Sequence, residues 1–409
     1  MKNYIKFKTS ITFSFSLSLI LLFTFSLNAQ WAQVSSSAGS VYALAVKDNY
    51  IFAGTGDKGV LISTDNGSNW SPVNSGLTYN NVYSLLVKDT TLYAGTFGGG
   101  LFYSVNSGTN WTKTGLLFVS VFCLHTNGTN LFAGTTDSGV YLSPDSGKTW
   151  NSVNNGLTST YITSLVSIGS NLFAGTSSGV FLSSDNGTNW SEATSGLTNK
   201  DVRAMAVVGS DVFAGTPGGA FISSDNGSNW TSINSGLTNT IVKSFGVDGS
   251  KLFAGTNGGV FLSTNHGTSW TEINSGLTKM DVRTIVVSGS NLFAGMYNGG
   301  IWRRSLSEII TSIENSNGIK PMDFSLEQNY PNPFNPTTKI GFAVFSNQSA
   351  TLRVFNSLGQ ELATLFDGQV QAGKQYSVDF NGSHLTSGLY FYQLQTGNFS
   401  ETKSMMLVK

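Results

Sequence analysis

The chain has 409 residues, among them 47 Gly, 7 Pro and one Cys, with 12% aromatic and 11% charged residues and no formal net charge. So few charges, with no clustered basic face, argue against capture of nucleic acid, and a single cysteine excludes a disulfide framework. Abundant Gly, Val, Phe, Ser, Thr and Asn suit short strands joined by tight turns, which predicts an all-β protein with little helix.

Residues 1–29 open with Lys2, Lys6 and Lys8, continue as a long apolar run and end in Leu27-Asn28-Ala29. That order predicts a secretory signal peptide cleaved after Ala29 and export across the inner membrane. An uncleaved anchor is the alternative, because the run approaches spanning length. The small residue at the expected site and the Ser/Thr dilution of the run favour cleavage. Without the three leader lysines the remaining chain is about three charges negative. No later run is long enough to span a membrane. Cys123, within the apolar pattern VFCLH, is expected to be a buried and inert thiol.

From residue 31 the chain repeats. The pattern S-x-D-x-G-x-x-W first spans Ser63 to Trp70, returns ending at Trp150, Trp190 and Trp230, and recurs in weaker form at Trp111 and Trp270. Each unit holds four strand-like runs, seen in the unit from Val202 as VRAMAVV, DVFAGTP, GAFISSD and NWTSINS. Dipeptides such as Gly209-Ser210 separate the first two runs and fit two-residue hairpins. The second run's glycine falls at Gly54, Gly95, Gly134, Gly175, Gly215, Gly255 and Gly295, seven copies spaced 39 to 41 residues apart. After Gly295 the Trp-bearing fourth run is missing, and Trp31-Ala32-Gln33-Val34 supplies one before the first unit. The expected fold is a seven-bladed β-propeller over 31–305 whose N-terminal strand closes the last blade, hiding two sheet edges at once. An open solenoid would instead need capping units.

The repeated box resembles the Asp-box, or BNR repeat, of sialidases, xyloglucan-degrading enzymes, sortilin-type receptors and a photosystem assembly factor. The resemblance implies a propeller and leaves activity open, because those proteins do different things. The residues themselves read as structural. The Asp can accept backbone N–H bonds inside its own turn, the Gly supplies positive φ, and the Trp packs one blade on the next. Asp65, Trp70, Asp145, Trp150, Asp185, Trp190, Asp225 and Trp230 are therefore expected to build the blades. Asn106 and Asn265 keep the acceptor in the weaker copies. In the Asp-box family these turns face away from the usual ligand site.

A ligand site on a propeller belongs to the loops entering the first strand and those joining the second to the third. Acid–base hydrolysis needs two carboxylates at a defined separation. The repeats contain two glutamates, Glu192 and Glu272, both on outer strands, which leaves Asp57, Asp137, Asp201 and Asp281 on the candidate face. Asp201 and Asp281 each precede an Arg by two residues, Arg203 and Arg283, a spacing that favours local pairing. No catalytic residue, metal site or cofactor is expected, and His125 and His266 lack partners at metal-ligand spacing. One position breaks the repeat: the second residue of each first strand reads Tyr42, Tyr83, Phe122, Thr163, Arg203, Lys243 and Arg283. If these residues rim the central opening, it is aromatic on one side and basic on the other. Such a rim could stack a sugar and hold an anionic group such as a uronate. Packing between blades is the alternative role.

Residues 306–324 are polar and read as a linker. Beyond them, alternation over 351–355 and 389–394 predicts strands of a small β-sandwich. Residues 325–409 resemble the type A C-terminal sorting domain of type IX secretion found in Bacteroidota and related bacteria. The resemblance rests on Tyr330-Pro331-Asn332-Pro333-Phe334-Asn335-Pro336, Gly359-Gln360, Ser387-Gly388-Leu389-Tyr390 and the terminal Lys409. It implies that the type IX machinery is a partner and that the destination is the outer-membrane surface or the medium. The sequence thus reads as an exported, non-catalytic propeller serving as a binding or scaffold module for an extracellular glycan or protein. The rival is an extracellular glycoside hydrolase or lyase of the Asp-box propellers. A third reading, a membrane-kinase sensor ectodomain, is disfavoured by the lack of a spanning segment after the repeats.

Overall fold

The computed structural model describes residues 30–309, 325–344, 348–371, 374–397 and 399–409. The expected signal peptide, 1–29, and the expected linker from 310 to 324 lie outside the described residues. Each repeat folds into one antiparallel sheet. In the first, Val41–Lys47, Tyr50–Thr55, Val60–Ser63 and Ser71–Pro72 lie side by side in chain order. Lys47 pairs with Tyr50, so two residues close the first hairpin, and Asp48 adopts the positive φ of 54° that such a turn needs. The outer strand is reduced to two residues, which leaves little edge open to pairing with other chains.

Seven such four-stranded sheets form, and the seventh draws on both ends of the repeat region. Val282–Ser288, Asn291–Met296 and Gly300–Ser305 are completed by Ala32–Ser35, whose Ala32 and Gln33 pair with Arg303 and Trp302. Trp31 donates from Nε1 to the Ile273 carbonyl of the sixth sheet at 2.6 Å, so the N-terminal strand is tied to two sheets. The innermost strands follow one another around the ring, and the seventh packs against the first. The sheets stay separate; packing rather than one continuous ladder joins them.

The recurring glycine of the second strand explains that packing. A Cβ on Gly54 would lie 2.8 Å from Val82 of the next sheet, and one on Gly295 would lie 2.6 Å from Val41 of the first. Only a residue without a side chain admits a neighbouring inner strand so closely. Two positions earlier, Phe52, Phe132, Phe173, Phe213, Phe253 and Phe293 are fully buried between sheets. Each contributes roughly 1.5–3 kcal/mol of apolar burial.

Residues 306–309, the start of the expected linker, form a helical turn, and Ile309 is buried against the last sheet with Trp302 and Trp31. The C-terminal region holds two sheets. Ser325–Leu326, Thr337–Ala343 and Gln375–Asn381 make one; Glu361–Val370, Gln348–Phe355, Gly388–Thr396 and Phe399–Leu407 make the other. They enclose a shared core that includes Phe342, Leu352, Tyr392 and Leu407.

Candidate functional site

The box turns lie between third and fourth strands and are self-contained. Ser63 Oγ donates to Asp65 Oδ1 at 2.9 Å and accepts from Gly67 N at 2.8 Å. Asp65 also accepts from the Asn69 backbone and side chain at 2.8 and 2.6 Å. The side-chain bond from Asn69, then its backbone bond, holds the Asp65 carboxyl below the usual carboxylate range. Thr149 does the same to Asp145, bringing it down to about 2. Asp185 and Asp225 are lowered likewise by Asn189 and Asn229. Two residues per turn take positive φ, Asn66 at 57° and Gly67 at 83°; Asn tolerates this better than most side chains. Every carboxylate acceptor is thus used within its own turn.

The box tryptophans split into two groups. Trp111, Trp190, Trp230 and Trp270 donate from Nε1 across the blade boundary to Val73, Val153, Ala193 and Ile233 carbonyls at 2.7–2.8 Å. Trp70 and Trp150 instead donate to Gly67 and Gly147 in their own turns at 3.0 and 3.1 Å. Those two follow irregular blades. Trp70 follows the blade built from both chain ends, and Trp150 follows the shortened connection from Trp111 to Val121.

The candidate rim is built by a recurring irregularity. In six of the seven inner strands the register slips by one residue at the second position, as between Val41 and Ala43 or Val282 and Thr284. In the remaining blade Arg203 N and Ala204 both face Gly215. Such a bulge frees one residue from the alternation and re-aims its side chain. Tyr42, Tyr83, Phe122, Thr163, Arg203, Lys243 and Arg283, one per blade, consequently converge on one central cavity of about 570 Å³, joined there by Tyr161 and Asp201.

Around this cavity the aromatic half is a continuous stack. Tyr42 and Tyr83 lie 4.7 Å apart at 24°, and Tyr83 and Phe122 5.2 Å apart at 29°. Tyr161 continues the arc 5.9 Å from Phe122, and the exposed Phe97 touches Tyr83 at 5.9 Å. Tyr42 and Phe122 thus cover the two faces of Tyr83. Burial pushes the Tyr83 phenol above its ordinary pKa.

Opposite stand three cations and two carboxylates. Arg203 donates to Asp201 at 2.9 Å; Arg283 and Lys243 both donate to Asp281, at 3.0 and 2.7 Å. The Lys243 side chain is only 10% exposed, and this burial, reinforced by Arg283 and Arg203 against the pull of Asp281, lowers its pKa. Arg283 also lies 4.8 Å over the Tyr297 ring, and its buried Nε has no hydrogen-bond partner among the described residues. The cation half carries a surplus of one positive charge.

Of the groups beside the rim, Tyr161 was not singled out from the sequence, whereas Asp201 and Asp281 were expected on this face beside Arg203 and Arg283. Tyr161, Asp201 and Asp281 occupy the position two residues before the bulge, where the other copies read Ser40, Asn81, Ser120 and Ile241. That column breaks the repeat as plainly as its neighbour and was the signal available. Elsewhere, Asn74, Asn154, Asn234 and Asn274 each accept from a backbone N–H in the first two residues of a third strand and donate to the loop before it. These brackets set the loops of the candidate face. His125 meets Ser167 Oγ at 2.8 Å, and burial drops its pKa to about 4. Burial raises the Cys123 thiol to about 12, which makes it a poor nucleophile. Among the described residues no group of His, Cys, Asp and Glu is placed to hold a metal ion.

In the C-terminal sheets most of the quoted motif residues bond to the strands and turns around them. The Pro331 carbonyl accepts from Asn329 and Thr338, and Asn332 Oδ1 accepts from Met406 N at 2.9 Å. Pro333 leads into Phe334, which bridges to Met406 and Val408. Gly388 opens the strand that carries Tyr390, whose hydroxyl donates to Thr386 O at 2.8 Å, and Lys409 Nζ reaches Ser383 O at 2.7 Å. Tyr330 is left 82% exposed.

Family models place this architecture. The model described as the DUF6242 beta propeller domain matches residues 26–155 and 116–238, which together make up just over half of the 409 residues. The chain belongs to the DUF6242 β-propeller family. A second model, the secretion system C-terminal sorting domain, matches 328–409. This propeller is therefore secreted or displayed at the cell surface, and its tail engages the type IX secretion machinery. No curated protein is similar to the chain in sequence. Among solved structures, the extracellular domain assigned to the hybrid two component system BT3049 of B. thetaiotaomicron is similar at a TM-score of 0.60 and 14% identity. That match covers 93% of this chain and 57% of that one. YCF48 from Cyanidioschyzon merolae is similar at 0.56 and 15%, covering 68% and 99%. An ancestral GH74 enzyme is similar at 0.57 and 17%, covering 90% and 60%. At these identities the likeness carries the fold alone.

Proposed function

We propose that this exported propeller is a non-catalytic binding module that takes an extracellular glycan or protein at its central cavity. The observation that carries the reading is the state of the carboxylates there. Asp201 and Asp281 are both engaged by cations, Asp281 by two of them. Their oxygens are already taken up by Arg203, Lys243 and Arg283, so neither stands free as one of the two carboxyls that glycoside cleavage places on either side of the bond. The aromatic arc and surplus positive charge suit recognition instead. Residues 1–29 supply the inner-membrane signal, 31–305 the Asp-box propeller and 325–409 the address. The hydrolase reading finds favour only in the shared fold of the GH74 enzyme.

A glycan and protein array probed with the purified chain, with turnover of each hit assayed in parallel, tests this. Saturable binding without product is expected. Accumulation of shortened glycan would replace the binding reading with the hydrolytic one.

A further inference from the structure

The aromatic half of the cavity is less available to a sugar face than its composition implies. Tyr83 is stacked between Tyr42 and Phe122, so a pyranose could lie flat on it only by breaking that stack. Tyr83, with both faces covered, can offer the cavity only ring edge, the electropositive part of an aromatic quadrupole. The cation half adds Arg203, Lys243 and Arg283. Both halves therefore favour an electron-rich group, and the cavity as a whole selects an anion.

The backbone around the cavity argues against a peptide as the bearer of that anion. The inner strands offer their free edges to the opening, where an extended peptide could add a strand. On two of the seven blades, groups of that edge are already bonded from the preceding blade. Ser84 Oγ reaches Val121 O at 3.3 Å and Thr163 Oγ1 reaches Val202 O at 2.6 Å, while Ser164 Oγ accepts from Met205 N at 3.1 Å. A ligand that binds through hydroxyls and a carboxylate needs no such edge. Phe97 and Tyr161 are exposed rings that flanking sugars could contact.

We propose that the cavity binds one carboxylate-bearing sugar, a uronate residue of an acidic glycan, with its carboxylate against Arg203 and Lys243 and with Asp281 as a built-in competing anion. This rests on the binding-module reading and names its ligand class. Asp281 occupies donors of Lys243 and Arg283 that the ligand would otherwise use. It lowers affinity and keeps the buried lysine compensated while the site is empty. A carboxylate here exchanges partners with no covalent step.

The test is calorimetric titration of the full chain with tri-galacturonate, its methyl ester and a tri-glutamate peptide. The acid is expected to bind, and the ester at least about tenfold more weakly, the equivalent of one lost charge-assisted hydrogen bond. Lys243→Gln should weaken the acid to a similar degree. Asp281→Asn should tighten it by roughly tenfold, by freeing two donors of a competing charge. Thermal melts report folding; if Asp281→Asn does not fold, Asp201→Asn, which frees Arg203, replaces it. The inference is overturned if acid and ester bind alike, or if the Asn variants bind no better than the parent. It is equally overturned if tri-glutamate matches the uronate or no uronate binding is detected. A neutral glycan or protein found by array at the same rim would sink the uronate inference and leave the binding-module reading standing.

Discussion

Asp281 accepts hydrogen bonds from Lys243 across a blade boundary at 2.7 Å and from Arg283 on its own strand at 3.0 Å. One carboxylate thus links the sixth and seventh blades at the cavity. The same bond keeps a largely buried ammonium in place, whose pKa burial lowers.

Anion binding should show this in its alkaline limb. Burial lowers the Lys243 pKa, with Arg283 and Arg203 adding to the shift and Asp281 opposing it. Lys243 then discharges as pH rises through a value below the ~10.4 of a free lysine. Below that value the cation is present and binding is full; above it, binding fades. Tyr83 is shifted the other way by burial and stays neutral beyond an ordinary phenol, so it does not produce the early loss. Lys243→Arg, with a guanidinium protonated throughout, should hold affinity to higher pH. Titrations of tri-galacturonate from about pH 7 to 10.5 measure the difference. Superimposable parent and Lys243→Arg profiles would remove Lys243 from the site.

The aromatic stack also makes a prediction about stability. Tyr83 touches Tyr42, Phe122 and Phe97, and each aromatic pair contributes roughly 0.5–1.5 kcal/mol beyond burial. Tyr83→Ala should cost about 2–4 kcal/mol in urea unfolding. Tyr83→Phe keeps the stack and should stay within about 0.5 kcal/mol of the parent. Equal losses in both variants would show that the hydroxyl, not the ring, holds this wall.

The period and the split blade were legible in residue types. Gly54 and its copies mark where inner strands touch, and the missing fourth run after Gly295 locates the seam at Trp31. The bulge at Tyr42 and its equivalents was not, because an extra residue in an antiparallel ladder leaves no mark in residue type. The pattern singled out Tyr42 and its six equivalents as a candidate rim but not the bulge that re-aims them. Nor could it show that Tyr83 stacks on its neighbours, since face or edge presentation depends on the twist between blades. The two tryptophan orientations depend on the preceding blade rather than on the box itself.

Those orientations predict unequal costs for the same substitution. Trp190→Phe removes the donor to Val153 O, a carbonyl at a closed blade boundary. It should cost about 1–3 kcal/mol for the unsatisfied group. Trp70 and Trp150 donate only within their own turns and are more exposed, so their Phe variants should lose less. Urea midpoints of the three variants give the order, and a Trp150→Phe loss as large as that of Trp190→Phe contradicts it.

Acid should act through the boxes. The Asp65, Asp145, Asp185 and Asp225 carboxyls lie below their ordinary range because each accepts side-chain and backbone bonds in its turn. A depressed folded pKa contributes stability that is present above the unfolded value and lost as pH falls through the folded one. For Asp145 the loss runs from the ordinary value near 3.8 down to about 2. Asn106 and Asn265 already make the turn without a titrating group, accepting from Asn110 N and Ser269 N at 2.9 Å. Replacing all four aspartates by Asn should therefore lower Tm near neutral pH but flatten its fall between about pH 4 and 2. An unchanged slope in thermal melts would place acid sensitivity elsewhere.

The seam at Trp31 yields the sharpest structural prediction. The indole N–H and Arg304 Nη1 converge on one acceptor, the Ile273 carbonyl, at 2.6 and 2.7 Å. Trp31 itself is 3% exposed and packs with Ile273, Leu277 and Trp302. Trp31→Ala opens a cavity at the place where the chain ends hold the seventh sheet together, at a cost of about 3–5 kcal/mol. Because Ala32–Ser35 borders Gly300–Ser305, the loss should be local first. Amide exchange should quicken in Gly300–Ser305 and in Ala32–Ser35 while Val121–Asn127, on the far side of the ring, keeps its protection. The cation half of the cavity contains Arg283 of the same sheet, so tri-galacturonate affinity should fall with the seam. Uniform acceleration of exchange around all seven sheets would mean instead that the ring opens as one cooperative unit.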